Sequence, residues 1–284
     1  MGARMSVPVD TRDSHAVQRC VAQAYGQMFP QGDLEFTNRI FQQVRDFFEG
    51  RHPGYLPMRM LYHDWEHTLQ VVTCFALLLS RRSSVGALPV LSEREVQIGW
   101  VAAFLHDIGY LQRQGDEIGT GAKYTTTHVE RSCVFTREFL DGLGWEQDRI
   151  QSAQAMIRCT SLEVSLDSIP FSSESLRILG YALATADLMG QMAAPQYIEK
   201  LPDLFDEFQE ASGAEAGLDE KRAKLQFSSA QDLVLKTLGF WRNFALPRLE
   251  KDLGGLYRFL EHSPSGRNDY LQAIQDNLAR ITLA

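Results

Sequence analysis

Apolar residues recur at helical spacing along nearly the whole chain, and the strict alternation of a half-buried strand is almost absent. That pattern predicts an all-α fold. A first helix is expected from Ser14 to Met28, closed by Phe29-Pro30. A second starts at Asp33, carries Phe36, Ile40, Phe41, Val44, Phe47 and Phe48 on one face, and stops at Gly50. Arg51 to Pro57, with two prolines and Gly54, reads as a loop, and a third helix runs from near Asp64 to around Ser80. Ser92-x-x-Glu95 is a capping box ahead of a strongly apolar helix through Gly99 to Ile108. Gly109 to Thr126 holds four glycines and few apolar residues, so it reads as a long excursion of the kind that often serves as a lid or binding loop.

Further helices are expected at Thr127–Leu143, Trp145–Arg158 and Ser173–Met189. After Pro195 the texture changes. Tyr197–Gln209 is acidic and aromatic, Ala211–Gly217 reads as a linker turn, and long amphipathic segments cover Ala230–Leu260 and Arg267–Ile281. The organisation expected from this is an N-terminal helical extension over 1–32, a helical core over 33–190, and a C-terminal helical extension over 191–284 packed on that core. Phe205, Phe208, Leu233, Leu235, Leu238, Phe240, Trp241, Phe244, Leu246 and Leu249 supply ample apolar surface in the last part. Core packing is the expected use, with a homodimer seam as the alternative.

Charge and hydropathy narrow the partners. Lys plus Arg number 28 and Asp plus Glu 36, a net charge of −8, which disfavours non-specific nucleic-acid binding. A small anionic substrate stays compatible, because a metal and a few cations reverse the sign locally. The longest apolar run, Val71 to Leu79, is too short to cross a bilayer, so no membrane partner is expected. The first residues carry two arginines and no apolar signal core, and read as a frayed cytoplasmic end; Gly2 with Met5 and Ser6 is only a loose match to a myristoylation signal. Cys20, Cys74, Cys133 and Cys159 form no C-x-x-C pair and read as small buried side chains in a reducing compartment.

Four of the seven histidines lie between positions 63 and 128. In YHDWEHTLQVV, His63 and His67 are four apart, which predicts two imidazoles on one helical face. In AAFLHDIGY, His106 and Asp107 close a greasy helix, where a carboxylate costs several kcal/mol unless it is paired or binds metal. Asp187 interrupts YALATADLMG in the same way. Each element alone has an ordinary explanation: a hydrogen-bonded core histidine, a common dipeptide, or an N-cap or ion-pair acid. Mixed imidazole and carboxylate donors suit a borderline divalent ion.

Taken in order, YHDWEHTLQVV, FLHDIGY and ATADLMG resemble the H…HD…D signature of the HD-domain superfamily of metal-dependent phosphohydrolases. Tyr62-His63-x-x-x-His67 is also similar to the Tyr-His-Asn-x-x-His element of cyclic-nucleotide phosphodiesterases, with Asp64 in the place of Asn. The resemblance runs from Tyr62 to Gln191, under half the chain. It implies an HD-type helical bundle with His67, His106, Asp107 and Asp187 as ligands of one divalent ion, which could be zinc, manganese, iron or magnesium. It makes Asp107 a carboxylate able to bridge to a second ion, and His63 the general acid that protonates a leaving oxygen. His128, in TTTHVERSCVF, resembles a position where a histidine binds a second metal. Two departures weigh against that second ion: Tyr110 stands where phosphodiesterases carry another histidine, and Arg158-Cys159-Thr160 occupies a stretch where binuclear members supply one.

The activity expected on this basis is hydrolysis of a phosphate ester or anhydride, of a nucleotide or another small phosphorylated molecule, by metal-activated water. Lys123, Arg131 and Arg158 are the candidate cations for the phosphate. Two alternatives remain open: a di-iron oxygenase built on the same fold, and a nucleotide-binding regulatory module without turnover.

Overall fold

A computed structural model describes residues 9–216, 227–263 and 266–283, so residues 1–8 of the expected frayed end and Gly217 of the expected turn lie outside the described residues. The fold is all-α. The elements up to Asp187 are α1 (Ser14–Met28), α2 (Phe36–Phe48), α3 (Trp65–Ser84), α4 (Glu93–Leu105), α5 (His128–Gly142), α6 (Gln147–Arg158) and α7 (Glu174–Met192). α8 (Tyr197–Ala216), α9 (Ala230–Phe240) and α10 (Asp269–Leu283) follow. Among the described residues the only bridge pairing is Tyr55 with Arg113. No described helix is long and apolar enough to cross a membrane.

α3, α4 and α7 form the centre. α3 is buried continuously from His67 to Ala76, and α4 from Ile98 to Leu105, so neither keeps a solvent-exposed face along those stretches. Each fully buried Leu or Phe there, such as Leu78, Phe75 or Phe104, contributes roughly 1.5–3 kcal/mol relative to exposure. α4 begins where the sequence places it: Ser92 Oγ accepts from Glu95 N, and Ser92 N donates to Glu95 Oε2 at 2.8 Å. Glu93 also accepts from Tyr25 Oη at 2.6 Å and from Asp33 N at 2.7 Å, which ties the α1–α2 corner to the start of α4.

α3 and α7 meet backbone to backbone. A Cβ on Gly190 would lie 2.8 Å from Gln70 O, so only glycine permits this approach. His67 and Asp187 each sit three residues, about one helical turn, before that contact. The packing of two apolar helices thereby places an imidazole and a carboxylate together.

Several expected boundaries shift. α4 ends at Leu105, not Ile108; His106 is its C-cap, and Ile108–Tyr110 forms a separate 3-10 turn. The turn expected at Ala211–Gly217 is helical through Ala216, because Ala211 is buried and Ala and Glu around Gly213 favour continuation. The segment expected as one helix from Ala230 to Leu260 is instead divided. α9 leads into π-helical stretches at Trp241–Ala245 and Arg248–Asp252, the chain turns at Gly254-Gly255 with φ of +66° at both, and Leu256–Glu261 is a 3-10 helix. Of the apolar residues in this part, Phe205, Leu233, Trp241 and Leu249 are buried, whereas Leu235 is exposed. Cys74, Cys133 and Cys159 are buried and Cys20 is half-buried, all as free thiols.

Candidate metal centre

His106 is the C-cap of α4, and Asp107 follows it at the start of the Ile108–Tyr110 turn. His106 Nδ1–H donates to Ala103 O at 2.9 Å, which turns Nε2 into the centre with its lone pair available. Asp107 Oδ2 lies 3.3 Å from His106 Nε2 and 3.2 Å from His67 Nε2. The two Nε2 atoms are 3.3 Å apart. Asp187 Oδ1 approaches from α7, 3.4 Å from His67 Nε2 and 3.9 Å from His106 Nε2. One ligand atom from each of His67, His106 and Asp107 lies within 4.8 Å of the others, a spacing that can hold a metal ion. On the opposite side of Asp107, Oδ1 faces His128 Nε2 at 3.6 Å, and His128 Nδ1–H donates to Thr125 O at 2.5 Å.

The electrostatics fit a cation. His106 is 0 % exposed, His67 2 % and Asp107 5 %, and among the described residues no Lys or Arg pairs with Asp107 or Asp187. Burial pushes the His67 imidazole down, but Asp107 and Asp187 outweigh it and hold its pKa at about 10. Burial likewise opposes ionisation of Asp107, yet His106 and His67 hold its carboxyl well below the usual range. His128 goes the other way: burial lowers its pKa despite the nearby Asp107. One buried and one half-buried carboxylate facing imidazoles whose Nε2 atoms converge are a donor set that a divalent ion can take over by replacing protons.

His63 does not lie on the helical face expected for it. Asp64 is the N-cap of α3 with extended backbone (φ −96°, ψ −171°), so the chain turns away from the helix before His63. The imidazole nonetheless sits 5.5 Å from that of His67, centroid to centroid. Its Nδ1 lies 2.6 Å from Glu207 Oε2, while Glu207 Oε1 accepts from the backbone N–H groups of Leu61 (3.1 Å), Tyr62 (2.8 Å) and His63 (3.3 Å). Burial alone would raise the Glu207 carboxyl; the His63 imidazole and the backbone N–H groups of Tyr62 and His63 hold it below its ordinary value. Tyr110, buried, stacks on His63 (4.8 Å, 21°) and on His128 (4.5 Å, 12°), which keeps both rings in place.

The structure thus brings together His63, His67, His106, Asp107, His128 and Asp187. The three cations named for phosphate are held by other groups. Lys123 pairs with Asp116 and donates to Ile118 O at 2.8 Å. Arg131 donates to Gly109 O at 2.7 Å and Leu111 O at 3.0 Å and covers the Tyr124 ring. Arg158 forms a two-pronged pair with Glu130. Glu207 was missed, although a signal exists: Lys200, Glu207 and Glu210 follow one helical row of α8. All three turn inward, Lys200 to Asp64, Glu207 to residues 61–63, and Glu210 to the backbone of Thr120 and Lys123.

The turn after Asp107 is clamped on α5. Gly109 N donates to Ser132 Oγ at 2.9 Å, and a Cβ on Gly109 would lie 2.1 Å from His128 O. Gly109→Ala is therefore expected to push Ile108–Tyr110 off α5, at a cost of about 1–3 kcal/mol. A lowered urea midpoint is the measurable result.

A family model described as Npun_R2479-like matches residues 114–281, more than half of the chain. The chain belongs to the Npun_R2479-like family. The Npun_R2479-like match includes His128, Asp187 and Glu207 and begins after His63, His67, His106 and Asp107, so it spans only part of the centre. No curated protein matches the sequence.

Proposed function

We propose that this protein is a metal-dependent phosphohydrolase that cleaves a phosphate ester or anhydride of a nucleotide or another small phosphorylated molecule. The observation that carries this reading is the meeting of His67, His106, Asp107 and Asp187 around one point without a Lys or Arg counter-charge among the described residues. These four would hold one divalent ion: zinc, manganese, iron or magnesium. When bound, such an ion supplies a Lewis acid that acidifies water and draws charge from a phosphoryl oxygen.

The remaining work falls to the protein's own side chains. With Nδ1–H directed at Glu207, His63 is left with Nε2 as the atom that carries a proton to a departing oxygen. Glu207 fixes the tautomer and the ring plane, and Tyr110 blocks rotation from the other side. Asp187, at 16 % side-chain exposure, His63 at 17 % and His128 at 22 % are the members that solvent reaches, so substrate approaches over them.

The test is to measure metal content and turnover of phosphomonoesters, phosphodiesters and nucleotides with each ion. His63→Ala is expected to keep its metal and lose roughly 10²–10⁴-fold in kcat, the usual worth of general acid catalysis. Full activity in that variant would remove His63 from the mechanism. His128 facing the free oxygen of Asp107 supports a second reading, in which two irons serve oxidation. Two irons per chain with oxygen consumption, and no phosphate release, would favour it.

A further inference from the structure

His67 differs from the other inward-facing imidazoles in one respect. His106 and His128 each donate Nδ1–H to a backbone carbonyl, whereas His67 Nδ1 is buried and has no partner. A cation at Nε2 leaves the ring's proton on Nδ1, so this nitrogen is a donor that requires an acceptor. His67 lines a small cleft together with Tyr62, Gln70, Gln191, Tyr197 and Lys200.

Most polar groups of the cleft are engaged elsewhere. Tyr62 Oη donates to Gln191 at 2.8 Å, the Gln191 amide donates to Asp187 at 3.1 Å, and Lys200 donates to Asp64 at 2.8 Å. Gln70 is placed differently. It is 5 % exposed, lies three residues after His67 on the same face of α3, and its amide N–H reaches Glu66 at 3.5 Å. Its Oε1 receives no hydrogen bond from any described residue, and the side chain lines both this cleft and a neighbouring one beside Thr11 and Tyr270.

Resting on the proposed metal centre, we infer that this cleft binds a water molecule that accepts from His67 Nδ1–H and donates to Gln70 Oε1. Gln70 is then the positioning residue for the metal-facing imidazole. The ligand is water and not an anion, because Asp64 neutralises Lys200 and Glu66 adds negative charge beside Gln70. A buried water needs two to four polar partners; His67 supplies a donor and Gln70 an acceptor.

Zinc titrations of the full chain and of Gln70→Leu and Gln70→Glu test this. Gln70→Leu is expected to bind zinc about 10–100-fold more weakly, the usual cost of losing an outer partner of a metal histidine, with unchanged stoichiometry and circular dichroism. Gln70→Glu, which keeps an acceptor oxygen, is expected to match the unaltered protein or bind more tightly. Equal zinc affinity in Gln70→Leu would overturn the inference. A crystal structure at water-resolving resolution gives an answer that needs no metal: density within hydrogen-bond reach of both His67 Nδ1 and Gln70 Oε1 supports the site, and a cleft without such density overturns it. Failure of the unaltered protein to take up any ion would instead defeat the proposed metal centre, leaving the density to decide on Gln70.

Discussion

Asp107→Ala is expected to abolish metal binding and turnover together. Among the described residues, Asp107 is the one side chain that meets both buried imidazoles through Oδ2 and His128 through Oδ1. Without it, His67 and His106 keep only Asp187, which is more exposed and farther from His106. Loss of a mere outer-shell partner costs about 10–100-fold in metal affinity, and the loss of this ligand should exceed that. The apo protein is expected to lose stability as well, because Asp107 is buried against His67 and His106 and offsets the burial of the His67 charge. Elemental analysis of the purified variant, beside its circular dichroism, separates loss of metal from loss of fold. Retained metal with retained activity would remove Asp107 from the ligand set.

Glu207→Ala is expected to damage stability and rate at once. Its carboxylate caps three consecutive backbone N–H groups and pins His63, and it is buried. Removing one partner of a buried, hydrogen-bonded pair costs about 3–5 kcal/mol, so the urea midpoint should fall clearly. In whatever fraction stays folded, His63 is free to turn, and kcat should drop towards that of His63→Ala. Glu207→Gln distinguishes the two roles. The amide oxygen still accepts from the backbone, which restores most of the stability, but the charge beside the imidazole is gone, so kcat stays low. A Glu207→Gln variant with ordinary kcat would make Glu207 a structural cap alone.

What could be read in the sequence follows how local the cause is. α1 and the capping box of α4 depend on neighbours within a few residues, and they stand where the pattern puts them. The residues His67, His106, Asp107 and Asp187 stood out because each is a polar group in an otherwise apolar helix, where burial is costly without a partner. Glu207 did not, since it lies in an acidic run, and only the docking of α8 against residues 61–63 shows that it points inward. Lys123 and Arg158 read as free cations in the sequence because their partners, Asp116 and Glu130, are 7 and 28 positions away and unremarkable by type. The spacing of His63 from His67 predicts a shared face of α3, but Asp64 acts as the cap and moves the helix start past His63.

The claim on which the rest depends is that four side chains, from two helices and the end of a third, share one cation. Anomalous diffraction from crystals grown with zinc tests it most directly. The account predicts a peak about 2.0–2.2 Å from His67 Nε2, His106 Nε2 and a carboxylate oxygen of each of Asp107 and Asp187. Zinc-soaked crystals with no peak there, and those four side chains hydrogen-bonded only to one another, would contradict it.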